Sequence, residues 1–147
     1  VTPGGCTAAG SSGATSTRWL VADVEIRFTP PAQLLNMNQR LHWTVQRRLA
    51  REWRSAACWA ATAIATSPRW RRQPPCFVFV ELPVADRRRR DPANYAPTVK
   101  HIVDGLVDAG CWPDDTPEWV TTTEPTLRVG GELVVVRLHH RQEPRHG

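Results

Sequence analysis

Positions 91–115 gather Asp91, Asn94, Lys100, Asp104, Asp114 and Asp115 into one short stretch. These residue types suit hydrolysis of a phosphodiester. Carboxylate oxygens can hold Mg2+, a hard cation that prefers oxygen ligands and keeps several of its waters. The cation activates a water and neutralises charge on the scissile phosphate, and a nearby lysine stabilises the charge that develops in the transition state. Taken singly, each acid has a plainer use, because Asp and Asn beside a helix are frequently caps and Asp-Asp in a turn is frequently only a turn. Together, and next to the run Arg87, Arg88, Arg89 and Arg90, they point to a metal-dependent site in a protein that handles a polyanion.

The charge around this stretch is divided by sign. The 147 residues include 19 Lys+Arg against 14 Asp+Glu, a balance that fits nucleic acid as partner and, taken alone, fits equally well a charge that merely keeps the protein soluble. Positions 38–72 hold eight arginines, among them Arg40, Arg47 and Arg48, and a single acid, Glu52. Positions 91–124 hold seven acids and one base, Lys100, which is also the chain's only lysine. The arginine run stands between the two blocks, where it offsets the repulsion that the acids exert on a phosphate backbone. A lysine alone among arginines suggests a task for a compact ammonium that a planar guanidinium cannot perform.

Other function classes are excluded or left unsupported. Cys6, Cys58, Cys76 and Cys111 form no CxxC pair, and no His stands at zinc-ligand spacing, so reduced thiols are expected. No apolar run approaches the roughly eighteen residues of a membrane span. Positions 1–17, rich in Gly, Ser, Thr and Ala, lack the basic and apolar regions of a secretory signal. The expected organisation is a disordered leader at 1–17, one domain at 18–140 and a flexible tail at 141–147, in a cytoplasmic protein without an organic cofactor.

Several elements must position the acids. Residues 19–28 alternate apolar and polar and predict a strand, which Pro30 and Pro31 end. After a loop at 32–41, Val45, Leu49, Trp53, Ala56, Ala57, Ala60 and Ile64 recur at three- and four-residue spacing and predict an amphipathic helix with arginines outward. Prolines and arginines at 67–75 predict a basic connector. Residues 76–84, apolar and β-branched, predict a central strand that delivers the arginine run at its C-terminal end. Val99, Ile102, Val103, Leu106 and Val107 define the buried stripe of a second helix, with Lys100, Asp104 and Asp108 on another face. Asn94 is expected to cap it, Pro97 to sit in its first turn and Gly110 to close it in the left-handed conformation. A short strand at 119–123 follows. Gly130-Gly131 then predicts a hairpin between 127–129 and 133–138. The order β-α-β-α-β-β-β makes a mixed α/β domain with a mixed sheet. His42 and Trp43, at a loop–helix boundary, could stack on opened bases, but packing is the commoner use and the one expected here. Trp53 and Trp59 are expected in the core or at a dimer interface.

The stretch RRRRDPANYAPTVKHIVDGLVDAGCWPDD at 87–115 resembles the RusA family of Holliday-junction resolvases, crossover-junction endodeoxyribonucleases of phages and prophages. That family's pattern is an Arg run, Asp-x-Asp-Asn, a Lys, an Asp one helical turn later, and Asp-Asp beyond a Gly-containing helix end. NQRLHW at 38–43, ahead of an Arg-rich helix, and the late Gly-Gly resemble its phage and actinobacterial members, so the similarity covers roughly 19–139. The resemblance implies that Asp91 and Asp115 bind Mg2+, or Mn2+ in its place, with Asp114 beside them. It implies that Lys100 is catalytic, that Asn94 and Asp104 support the site, and that Arg40, Arg47, Arg48 and Arg87 to Arg90 contact DNA. The implied molecule is a homodimer that nicks four-way junctions symmetrically. Two departures stand out. Ala93 occupies the place of the second aspartate, and the Asn-to-Lys spacing is longer, with Ala96, Pro97 and Thr98 as the insertion. Loss of that carboxylate leaves open a second expectation, a relative that binds four-way junctions without cutting them.

Overall fold

The computed structural model describes residues 24–68, 70 and 76–140. The expected leader at 1–17, the start of the first predicted strand at 19–23, most of the basic connector and the tail at 141–147 lie outside the described residues. The elements run β1 (Val24–Phe28), α1 (Trp43–Ala65), β2 (Cys76–Val84), a 3-10 turn (Pro92–Tyr95), α2 (Ala96–Ala109), β3 (Val120–Thr122), β4 (Thr126–Val129) and β5 (Val134–His140). Among the described residues the fold is mixed α+β, with two α-helices and one five-stranded mixed sheet. No helix among the described residues is long and apolar enough to cross a membrane.

The organising element is β2. Every second residue from Cys76 to Val84 is buried, the period expected of a strand covered on one face. That face shares its core with Leu49, Trp53, Ala57 and Ala61 of α1 and with Val99, Ile102, Val103 and Leu106 of α2. Strand β5 pairs antiparallel with β2 on one side and with β1 on the other. On the opposite side of β2 two short strands lie in line and parallel to it, β3 beside Cys76 to Val78 and β4 beside Glu81 to Val84.

Those two strands are a single edge with a break. Val78 opposes Thr122 while Glu81 opposes Thr126, so three steps along β2 correspond to four along the edge. The one residue of excess falls among Thr123, Glu124 and Pro125, and it interrupts the ladder as a bulge does. Pro125 has no N–H to give to a ladder, and it is buried at the break.

The helices cross closely because Gly105 permits it. A Cβ there would collide with the carbonyl of Arg54 and stand 2.8 Å from the Cβ of Ala57. A two-pronged ion pair between Arg54 and Asp108 ties the same two helices at the surface. The segment before α1 is fixed to α2 as well. Leu35 N–H donates to Thr98 Oγ1 and the Thr98 hydroxyl donates back to the Leu35 carbonyl, both at 2.8 Å and buried. The Met37 N–H donates to the Asn94 carbonyl at 2.8 Å, and Trp53 Nε1 donates to the Gln33 carbonyl at 2.9 Å.

Three expectations need correction. The predicted hairpin does not form: β4 and β5 lie on opposite sides of β2, and the chain crosses the end of β2 between them. Gly130, at φ 76°, makes that crossing and donates its N–H to the Val84 carbonyl, whereas Gly131 has no positive φ. The expected cap at Asn94 is also absent, because a 3-10 turn precedes α2 and Asp91 caps that turn through Ala93 N–H. Residue Tyr95 stands at the start of α2 without a side-chain cap bond. Trp53 is core, one of the two places expected for it, and Trp59, 81% exposed, lies outside the core, which leaves the dimer interface as its expected place. Trp43, expected to pack, is 59% exposed. The left-handed close of α2 at Gly110, φ 98°, and Pro97 in its first turn are as expected.

Candidate active site

The break in the sheet edge opens beside α2. A cleft of about 440 Å3 is bounded by Ala93, Ala96, Val99 and Lys100 from the 3-10 turn and α2, by Asp115, and by Thr122, Thr123, Glu124 and Pro125 from the break. Lys100 and Asp104 stand one turn apart, so their side chains share a face, and Lys100 Nζ lies 3.4 Å from Asp104 Oδ1. The chain then turns back past Gly110 and brings Asp115 to the same ammonium, 3.3 Å away. Asp114 Oδ1 accepts the Asp115 N–H at 2.7 Å, which braces the turn.

Electrostatics fix the charge states here. Burial lowers the affinity of Lys100 for its proton, but the charge of Asp104 and the hydrogen bonds to Asp115 and Asp104 outweigh it, and the net shift is upward. The Lys100 hydrogen bond, followed by Asp114, holds the Asp115 carboxyl below the usual carboxylate range. Beside them His101 is pushed down, chiefly by burial, despite Asp104 at 3.7 Å. The cleft therefore holds a cationic lysine and an ionised aspartate at neutral pH.

The expected residues are thus only partly assembled. Lys100, Asp104 and Asp115 meet directly and Asp114 adjoins them. Asp91 is exposed, its Oδ1 engaged by Ala93 N–H at 3.0 Å, and it is Ala93 that reaches the cleft wall. Asn94 contributes backbone, donating its N–H to the Asp91 carbonyl and accepting Met37 N–H. Arg87, Arg88 and Arg89 are exposed after β2, as are Arg40, Arg47 and Arg48. The side chain of Arg90 is drawn in, 13% exposed, and bound to Asp86 at 2.8 Å and to the Asp86 and Arg88 carbonyls. It shapes the arginine run from within.

Thr122, Thr123 and Glu124 were not singled out by sequence. Their place in the cleft depends on the register shift between β3 and β4, and the only local signal of it is Pro125.

The donor set suits a hard cation by its chemistry, because the acids offer oxygen and, among the described residues, no thiol or imidazole lines the cleft with them. Among the described residues no group of three or more His, Cys, Asp and Glu is gathered to hold a metal ion. Mg2+ is commonly held by one or two carboxylates together with substrate phosphates and waters, and Asp115 with its neighbour Asp114 can furnish that much. Comparison with models of known protein families finds no match, and comparison with curated proteins finds none either.

Proposed function

We propose that the protein is a Mg2+-dependent, structure-selective endodeoxyribonuclease of the RusA kind, resolving Holliday junctions by paired symmetric nicks in DNA recombination and repair. The observation that carries this reading is Lys100, held 3.3 Å from Asp115 and 3.4 Å from Asp104 at the wall of an open cleft. The resemblance of positions 87–115 to that family supports it further.

In this reading Asp115 would hold Mg2+, or Mn2+ in its place, with Asp114 in support, and Asp91, which caps the 3-10 turn, would be the second ligand that the family resemblance implies. Such an ion, when bound, would supply an activated water and neutralise charge on the scissile phosphate. Lys100, kept cationic by Asp104 and Asp115, donates to the phosphate or leaving oxygen as charge builds there. Asp104 is a positioning residue that keeps the ammonium over the cleft. Asn94 braces the turn behind Asp91. Phosphates on either side are gripped by Arg40, Arg47 and Arg48 and by Arg87, Arg88 and Arg89, with Arg90 holding the run in shape. A homodimer presents two such sites to a four-way junction in the cytoplasm.

The test is cleavage of a synthetic four-way junction with and without Mg2+. Cleavage is expected only with the cation and is expected to disappear in Asp115→Asn while junction binding persists. Cleavage that survives Asp115→Asn would overturn the assignment of that residue.

A second reading rests on Ala93. This residue lines the cleft where the resembled family carries a carboxylate, and a weaker cation site follows from its loss. The protein would then bind four-way junctions without cutting them, and Ala93→Asp would confer cleavage. Brisk cleavage by the wild type excludes this reading.

A further inference from the structure

Two large side chains, one at the start of α1 and one in the loop before it, face solvent rather than the core. Trp43 is 59% exposed and Met37 is 64% exposed, although each loses favourable burial by staying outside. Trp43 is nonetheless held in place. The His42 ring lies against it, centroids 5.7 Å apart and tilted by 30°. The Arg47 guanidinium, one turn further along α1, stands 5.4 Å from the Trp43 ring centroid, within reach of a cation–π interaction. His42 also fixes the helix start by accepting the Thr44 N–H at Nδ1.

The placement of this group separates it from an incidental exposed tryptophan. The loop that leads into Trp43 is bonded to the 3-10 turn through Met37 and Asn94 and to α2 through Leu35 and Thr98. That turn continues into Lys100. The surroundings are cationic, with Arg40, Arg47, Arg48 and Arg51 all exposed and, among the described residues, only Arg48 in an ion pair, 3.9 Å from Glu52. An aromatic face flanked by arginines complements a flat, uncharged ring carried on an anionic backbone, which is the chemistry of a nucleobase in a strand.

We propose that Trp43, backed by Arg47 and flanked by Met37, is a stacking platform for an unpaired nucleobase of DNA. This rests on the proposed function in one respect, that the bases it meets are those exposed at a junction crossover beside the cleft. Stacking on aromatic rings tolerates any base sequence, because every base offers a π-face. The platform therefore fits recognition of branch structure rather than of sequence.

Four proteins decide the matter: wild type, Trp43→Ala, Trp43→Phe and, as control, Trp59→Ala. Trp59 is also exposed but sits sixteen positions further along α1, about 24 Å away. Affinity is measured for a single-stranded thymidine oligonucleotide, for an abasic strand of equal length, and for four-way junctions with intact or abasic crossover nucleotides. Trp43→Ala is expected to weaken binding of base-containing strands on the order of 5- to 100-fold and to bind the abasic ones as wild type does. Trp43→Phe is expected to recover most of the loss, and Trp59→Ala to match wild type. Equal affinity of wild type and Trp43→Ala for base-containing strands overturns the proposal, and so does an equal loss on abasic strands. If the base dependence holds on single strands while junctions bind no better than duplex, the platform stands and the junction reading falls.

Discussion

At the residue scale the account turns on one ammonium. Among the described residues that line the cleft Lys100 is the only basic one, and a guanidinium in its place differs in shape and hydration. Lys100→Ala is expected to slow single-turnover cleavage by roughly 100- to 1000-fold, the usual cost of removing one transition-state donor, with junction affinity in a gel shift nearly unchanged. Lys100→Arg is expected to restore little of the rate. An equal loss of affinity and rate would mean that the residue serves binding alone. The pairing of Lys100 with Asp104 was legible from their four-residue spacing. Its contact with Asp115 needs the chain reversal after Gly110, which spacing does not reveal. Asp91 shows the opposite case, where an acid expected to point at a cation is partly committed to capping a turn.

At the element scale the helices and the central strand were legible because their periods are long and regular. The edge was not. Gly130-Gly131 between two apolar runs carries the local signature of a hairpin, but β2 offers ladder partners on both of its sides, and each run pairs with it instead of with the other. Tertiary pairing thus overrode turn chemistry, and the same edge contains the register shift that opens the cleft. Gly105 was likewise silent in the sequence. Gly105→Ala drives a methyl group into the backbone of α1 and is expected to cost about 1–3 kcal/mol by overpacking. Urea denaturation measures this, and an unchanged midpoint would contradict the close crossing.

At the scale of the whole molecule, the helices are joined by charge as well as by packing, and this makes stability depend on pH. The Arg54 hydrogen bond, followed by its charge, holds the Asp108 carboxyl below the usual range. A group with a depressed folded pKa adds stability above its unfolded value, near 4, and loses it as pH falls through the folded value. Asp108→Asn is therefore expected to lower the melting temperature slightly at pH 7, by an amount typical of exposed pairs. The difference from wild type should begin to shrink as pH drops below about 4 and vanish once pH has passed below the folded value. A difference that persists at low pH would assign the effect to packing.

The division of charge along the chain also takes on a spatial meaning at this scale. The cleft wall carries Asp115 and Glu124, while the exposed arginines stand before and along α1 and after β2; in the proposed function those arginines attract the phosphate backbone and the acids of the cleft call for a cation between them and it. The measurement that tests this most directly is a strand-by-strand map of breaks in a four-way junction incubated with the protein and Mg2+. The account predicts paired nicks at symmetric positions on two opposed strands and none in linear duplex of the same sequence. Breaks spread through duplex arms, or a bound junction left intact at every Mg2+ and Mn2+ concentration, would contradict it.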